Sequence, residues 1–273
     1  MWLKGKSALI TGASRGIGRG IATKLAENGA AKICINYLTN ETAAKETLSV
    51  IRQAGGDGFI CKADVSDPAE IERMFGQISG QFGTLDVLVS NARIELATGF
   101  YQSPLEIPLD KFELTFNSQV RAFHVLTRHM VEMLPTGGGG SRIMAISYSP
   151  SGRTGSWQPW AAMGAAKAAL DALSRYYAVA LAQRGVTVNV ISPGATNDSV
   201  LSGLPPEIFK MIEDWHVSGW TPMRRMGTPA DIGNAVAMLC SEKAAFITGQ
   251  TIHVDGGASV MDPVFPLPVQ GIS

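Results

Sequence analysis

Seven short, nearly unbroken apolar runs alternate with longer amphipathic stretches, and this alternation constrains the fold more than any other feature of the chain. The runs are SALITG (7–12), KICINY (32–37), GFICKADV (58–65), LDVLVSNA (85–92), RIMAIS (142–147), TVNVISPG (187–194) and QTIHVDGG (250–257). A strand covered on both faces has no solvent side, so it loses the polar alternation of a half-exposed strand. Helices are predicted between these runs, near 16–29, 41–54, 68–81, 110–134, 159–184 and 228–241. Asn40-Glu41, Asp67-Pro68 and Thr228-Pro229 supply caps where three of them begin. Strands joined through helices form right-handed βαβ units. The expectation is an α/β fold with a doubly wound, seven-stranded parallel sheet and helices on both faces.

No repeat or linker divides the chain, so residues 1–273 read as one domain. Residues 195–226 form a long mixed insertion after the sixth run, the usual place of a substrate lid. It carries Phe209, Met211, Trp215 and Trp220, which points to a large apolar pocket. The Pro-rich tail 261–273 is unsuited to a helix and is placed to reach a neighbouring subunit.

Lys plus Arg and Asp plus Glu are 23 each, so no global basic field invites nucleic acid. No run reaches eighteen apolar residues, which argues against a membrane span. The opening MWLKGKSALITG lacks the apolar core and cleavage site of a signal peptide. Cys34, Cys61 and Cys240 are scattered, with no close pairing and no histidine cluster. They read as buried reduced thiols of a cytoplasmic protein, without a metal site or disulfide.

TGASRGIG (11–18) follows the first strand directly and opens the first helix. Its glycines allow a tight turn and close backbone approach, and a helix N-terminus offers unpaired N–H groups to a phosphate. Gly12, Ser14, Arg15, Gly16, Ile17 and Gly18 are therefore candidate contacts of a dinucleotide. An acidic residue after the second strand would grip the adenosine ribose and select NAD. Asn36, Tyr37 and Thr39 stand there instead, and Arg15 suits a 2′-phosphate. These residues favour NADPH over NADH. Asp64 and Val65, ending the third strand, fall where the adenine lies. Asn91 and Ala92, ending the fourth, fall near the ribose and nicotinamide.

From about residue 4 to 260 the chain resembles the short-chain dehydrogenase/reductases, through TGASRGIG, Asp64-Val65, Asn91-Ala92, Lys167, SPG at 192–194 and VDGG at 254–257. The resemblance implies a Rossmann fold, a nicotinamide cofactor and a homotetramer or homodimer built on the two long helices and the last strand. It adds Pro193, Gly194 and Thr196 as cofactor contacts, with Asp198 or Ser199 at the usual threonine position after SPG. It assigns Lys167 to the nicotinamide ribose. Most members do ketone or alcohol chemistry with an Asn–Ser–Tyr–Lys set. Here the tyrosine position, four before the lysine, is Met163, and the asparagine position is Gln119, with Asn117 two residues away. Ser147, Tyr148 and Ser149 compete for the serine role, and the usual NAG is NAR, so Arg93 stands beside the nicotinamide pocket.

The enoyl-thioester reductase branch also lacks that tyrosine. It sets one seven residues before the lysine, often keeps a Ser-Tyr pair after the fifth strand, and some members carry MG-x-AK. This chain has Ser147-Tyr148 and MGAAK (163–167), but Trp160 at the minus-seven position. Residues 160, 163 and 167 share one helical face. Met163 reads as pocket wall, Trp160 as wall or hydrogen-bond donor, and Arg93 as a solvated residue or the partner of a carboxylate or phosphate. Ketone reduction makes an alkoxide and needs an acid; reduction of a conjugated C=C makes an enolate, a weaker base that hydrogen bonds can stabilise. The expectation is an NADPH-dependent oxidoreductase reducing a conjugated C=C in a small molecule or acyl thioester, with Ser147, Tyr148, Trp160 and Lys167 as the catalytic set. The alternatives are a carbonyl reductase with a rearranged donor, or a cofactor-binding protein without redox turnover.

Overall fold

The computed structural model describes residues 1–93, 103–136, 139–148, 160–198 and 201–262. Ser149 and residues 263–273 of the tail lie outside the described residues. The seven predicted strands are present: β1 (Ser7–Ile10), β2 (Lys32–Tyr37), β3 (Asp57–Lys62), β4 (Val87–Ser90), β5 (Arg142–Ile146), β6 (Thr187–Pro193) and β7 (Thr251–Val254). They form one parallel sheet in the order β3-β2-β1-β4-β5-β6-β7. The helices are α1 (Gly16–Glu27), α2 (Glu41–Gln53), α3 (Pro68–Phe82), α4 (Leu109–Phe116), α5 (Ala122–Glu132), α6 (Ala161–Leu181), α7 (Pro206–Trp215) and α8 (Pro229–Cys240).

The pleat explains the continuous hydrophobicity of the strands. Ala8 and Ile10 point into the core beneath α1, α2 and α8, while Leu9 between them points into the core beneath α3, α5 and α6. Val87 and Val89 against Leu88, and Met144 and Ile146 against Ile143 and Ala145, repeat the division. In the central strands β1, β4, β5 and β6 each residue thus meets a buried layer on whichever side it projects. The expected caps form: Asn40 accepts from the Ala43 N–H and Asp67 from the Ala69 N–H. Thr228 and Asp231 make a reciprocal capping box at α8, a device worth about 1 kcal/mol.

Three expectations need correction. The predicted helix over 110–134 is α4 and α5 joined by a π turn, Asn117–Arg121, in which the backbone stays right-handed helical but one turn widens. Strand ends fall short of the apolar runs, because Thr11-Gly12, Ala63 to Val65 and Asn91-Ala92 leave the ladder at the carboxyl edge of the sheet. The cysteines are not all apart. Cys34 and Cys61, distant in sequence, lie on adjacent strands near enough to influence each other's ionisation, Cys61 Sγ donates to Gln77 Oε1 at 3.2 Å, and all three thiols are buried and free. Among the described residues no helix is long and apolar enough to cross a membrane, and no group of three or more His, Cys, Asp or Glu is arranged to hold a metal.

The sheet order reverses between β1 and β4, which opens a crevice at the carboxyl ends of the strands. Residues 195–227 leave β6 and return at a base closed by the Asn197 N–H to Gly227 O and Gly227 N–H to Ala195 O bonds, both 2.8 Å. Within this excursion α7 buries none of its residues, and Trp215 packs edge-on against Trp220 at 5.4 Å.

Candidate active site

The glycine loop is held from three sides. Thr11 Oγ1 accepts from the Asn91 and Ala92 N–H groups at 2.9 and 3.0 Å, and Asn91 Nδ2 donates to the Thr11 and Gly12 carbonyls at 2.9 and 3.1 Å. Asn36 is buried and accepts from the Gly12 N–H at 3.1 Å while its Nδ2 donates to Ala63 O at 2.9 Å. Its amide is spent on backbone, so it shapes the loop from beneath. Arg19 Nη2 donates to Ser14 O at 2.8 Å and Arg19 Nε to Thr47 Oγ1 at 2.9 Å, fastening the loop to α2. Sequence reasoning passed over Thr11 and Arg19. The signal was slight, since Thr11 opens the motif and Arg19 stands one residue past it.

The loop fits a dinucleotide phosphate. Helices α2, α3 and α8 each carry a side-chain cap and an acid in the first turn; α1 has neither. Its first N–H groups and positive dipole end are left for an external anion. Gly12 has φ 62° and its peptide abuts Ala92, while a Cβ on Gly18 would sit 2.3 Å from Gly12 O. A side chain at Gly18 would fill the cradle. Ser14, Gly16 and Ile17 are partly covered around it, and Arg15 is exposed at its rim. Just beyond β3 Asp64 Oδ1 accepts from the Ser66 N–H at 2.8 Å, and Val65 is buried beside it.

The opposite end of the crevice gathers the residues proposed for chemistry. Ser147 is buried at the end of β5, its N–H on Ile191 O at 2.7 Å, and Tyr148 follows half-buried. Burial raises the Tyr148 pKa, which keeps its phenol protonated. Lys167 is buried on α6 and donates to Ile146 O at 2.6 Å. Its pKa is lowered from 10.5 to about 7, first by burial and then by the Arg93 charge, with Asp171 opposing. Met163, one turn earlier, is 3% exposed. Trp160 precedes α6, its ring centroid 6.0 Å from that of Tyr148, and the Arg93 guanidinium lies over it at 5.8 Å. Of the two amides left open, Gln119 is the buried one. The π turn brings its Nε2 within 3.1 Å of Ala92 O. After β6, Gly194 donates to Val254 O at 3.1 Å, and buried Thr196 Oγ1 donates to Gly194 O at 3.0 Å. Pro193 closes the strand opposite Val254. Asp198 is close enough to act electrostatically on Arg93.

Residues 12–259 match a family model described as Enoyl-(Acyl carrier protein) reductase. The chain is 33% identical to the 1-cyclohexenylcarbonyl-CoA reductase of Streptomyces collinus, over 94% of this chain and 88% of that protein. It is 34% identical to the 3-oxoacyl-[acyl-carrier-protein] reductase FabG of Staphylococcus aureus, over 92% and 97%. A short-chain dehydrogenase from Burkholderia cenocepacia, solved in complex with NADP, superposes with TM-score 0.83 at 31% identity, covering 94% of this chain and 99% of that one. With its parallel sheet, its glycine loop at the switch point and relatives along nearly its whole length, the chain belongs to the short-chain dehydrogenase/reductase family of oxidoreductases.

Proposed function

We propose that the protein is an NADPH-dependent reductase of a conjugated C=C bond in an enoyl thioester or enone. The observation that carries this reading is Met163: the position one turn before Lys167 on α6 holds a buried thioether with no proton to give. The likeness to an enoyl-thioester reductase at 33% identity supports it. Residues 36–39, which lack a carboxylate, together with Arg15 and the NADP complex of the Burkholderia relative, support NADPH over NADH. Bound NADPH supplies the hydride. Tyr148 donates a hydrogen bond to the substrate oxygen, Lys167 holds the ribose and adds positive charge, and Ser147 completes the polar wall. Trp160 and Met163 shape the apolar wall, and residues 195–226 close over the substrate as a lid. Carbon protonation then comes from solvent.

Carbonyl reduction is the second reading, favoured by the 34% identity to FabG, with Tyr148 taking the missing tyrosine's role as acid. NADPH consumption with a trans-2-enoyl thioester and with its 3-oxoacyl counterpart separates the two. Turnover of the enoyl substrate alone is expected; turnover of the oxo substrate alone would sink the C=C reading. In either case Tyr148→Phe is expected to lower kcat roughly 10–100-fold, and an unchanged rate would remove Tyr148 from the mechanism.

The exposed Tyr176 and Val179 on α6, and Phe246 and Ile247 ahead of β7, support assembly of copies through those elements. Light scattering on the purified protein is expected to give a dimer or tetramer; a monomer at micromolar concentration would refute it.

A further inference from the structure

We infer that Arg93 is the oxyanion-binding residue of this pocket, its guanidinium holding the negative charge that forms on the substrate's carbonyl oxygen during reduction. Which reaction creates that charge rests on the C=C reading above; the binding role does not.

Arg93 directly follows Asn91-Ala92, so the same hydrogen bonds that lock the glycine loop fix its backbone. Its flat cation lies over the Trp160 ring, which sets the plane of the guanidinium fork. The side chain makes no hydrogen bond or ion pair among the described residues. Five N–H donors are thus held in a partly buried place with no acceptor among the described residues. A cation placed this way costs stability unless an anion meets it.

The surrounding charge has the same meaning. Arg93 stands near Lys167 and Arg15, both basic side chains, and among the described residues the opposing charge acting on Arg93 is Asp198. Asp171 opposes the Lys167 charge from the α6 side. Two cations converge on the nicotinamide end of the crevice from different strands and helices, an arrangement suited to an anion between them.

A guanidinium keeps its protons throughout the usual pH range, so it can hold charge but cannot act as an acid. This suits an enolate. Hydride adds to the β-carbon as NADPH becomes NADP⁺, the π pair shifts, and the negative charge settles on the carbonyl oxygen. Arg93 holds that oxygen until the α-carbon takes a proton from water and the C=O re-forms. The implied substrate is an α,β-unsaturated carbonyl compound, neutral when it binds, with its carbonyl oxygen at the leading end.

The probe is 4-nitrophenol, whose phenolate is a delocalised oxyanion read by its visible absorption. It is titrated against protein saturated with NADP⁺, in the wild type and in Arg93→Gln and Arg93→Gly. The second variant restores the residue usual in the family, and NADP⁺ binding checks that both fold. The wild-type complex is expected to lower the dye's apparent pKa by about 1–3 pH units, and both variants to return it most of the way to that of free dye. A shift as large in both variants as in the wild type, or no shift in the wild type, would overturn the inference.

Steady-state kinetics add a second readout. Arg93→Gln is expected to lower kcat and kcat/KM together by roughly 10²–10³-fold. A rise in KM alone would also overturn the proposal, since it would mean that Arg93 grips a charge already present on the substrate. Failure of the C=C reading would appear differently, as turnover of the oxo substrate with the dye result unaltered.

Discussion

The Gly18→Val protein is expected to bind NADPH on the order of 100-fold more weakly than the wild type, or worse. Helix propensity alone argues the other way, since glycine inside a helix costs up to about 1 kcal/mol relative to residues that carry a side chain. The packing decides. A Cβ at this position would stand 2.3 Å from Gly12 O, 2.7 Å from Asn91 Nδ2 and 2.9 Å from Ala13 Cα. Two of these atoms are backbone in a loop pinned by Thr11, Asn36 and Arg19, so the strain cannot be relieved by turning a rotamer. The added atoms push the loop away from the first turn of α1, whose N–H groups carry no side-chain cap from Arg15 and are the proposed seat of the phosphate. Fluorescence titration with NADPH, with thermal unfolding of the same sample as control, tests this. A dissociation constant unchanged in a folded variant would mean that the phosphate does not sit on this loop.

Lys167→Met is expected to lower turnover on the order of 10³-fold and, at the same time, to flatten the pH dependence of stability. The Lys167 ammonium is buried beside Arg93, and its pKa falls to about 7 against 10.5 for an ordinary lysine. Below pH 7 folded and unfolded chains both carry the proton, and the penalty for burying the charge is fully present. Between about 7 and 10.5 the unfolded chain binds the proton and the folded one does not, so stability rises with pH across that window. The whole rise is roughly 5 kcal/mol. Chemical denaturation of the cofactor-free proteins at a series of pH values is expected to show this climb in the wild type and its absence in Lys167→Met. Parallel curves would mean that Lys167 titrates normally. The catalytic consequence has the opposite sign. The ammonium is the form that stabilises negative charge, so kcat/KM for reduction is expected to fall as pH rises through about 7. A flat profile across neutral pH would show that the charge on Lys167 is not used.

The two predictions draw on different kinds of information. The tight strand-to-helix turn around Gly18 was legible in TGASRGIG, because a glycine-rich turn between a strand and a helix has few physical uses. The seven strands were legible because burial on both faces removes polar residues from a whole run, and α2, α3 and α8 because Asn40, Asp67 and Thr228 act on backbone only two or three residues away. Met163 and Lys167 could be set on one face by helical spacing alone. These are local constraints, written in adjacent residues, and the sequence by itself determined them.

Tertiary structure decided what depends on residues far apart in the chain. Thr11 and Asn91 are 80 positions apart, yet together they close the glycine loop. Asn36 stands where a ribose-binding carboxylate was sought, and its side chain holds that loop from below. Cys34 and Cys61 became neighbours because β2 and β3 pair in parallel. The widened turn at Asn117–Arg121 keeps a helical backbone that periodicity reads as one rod, and it brings Gln119 to Ala92. Above all, neither Arg93 nor Lys167 shows in its own neighbourhood that the other stands beside it, or that Trp160 lies under the guanidinium. The charge and protonation of the crevice are set by burial and by distances across the folded chain, and both come into being only when the strand ends meet.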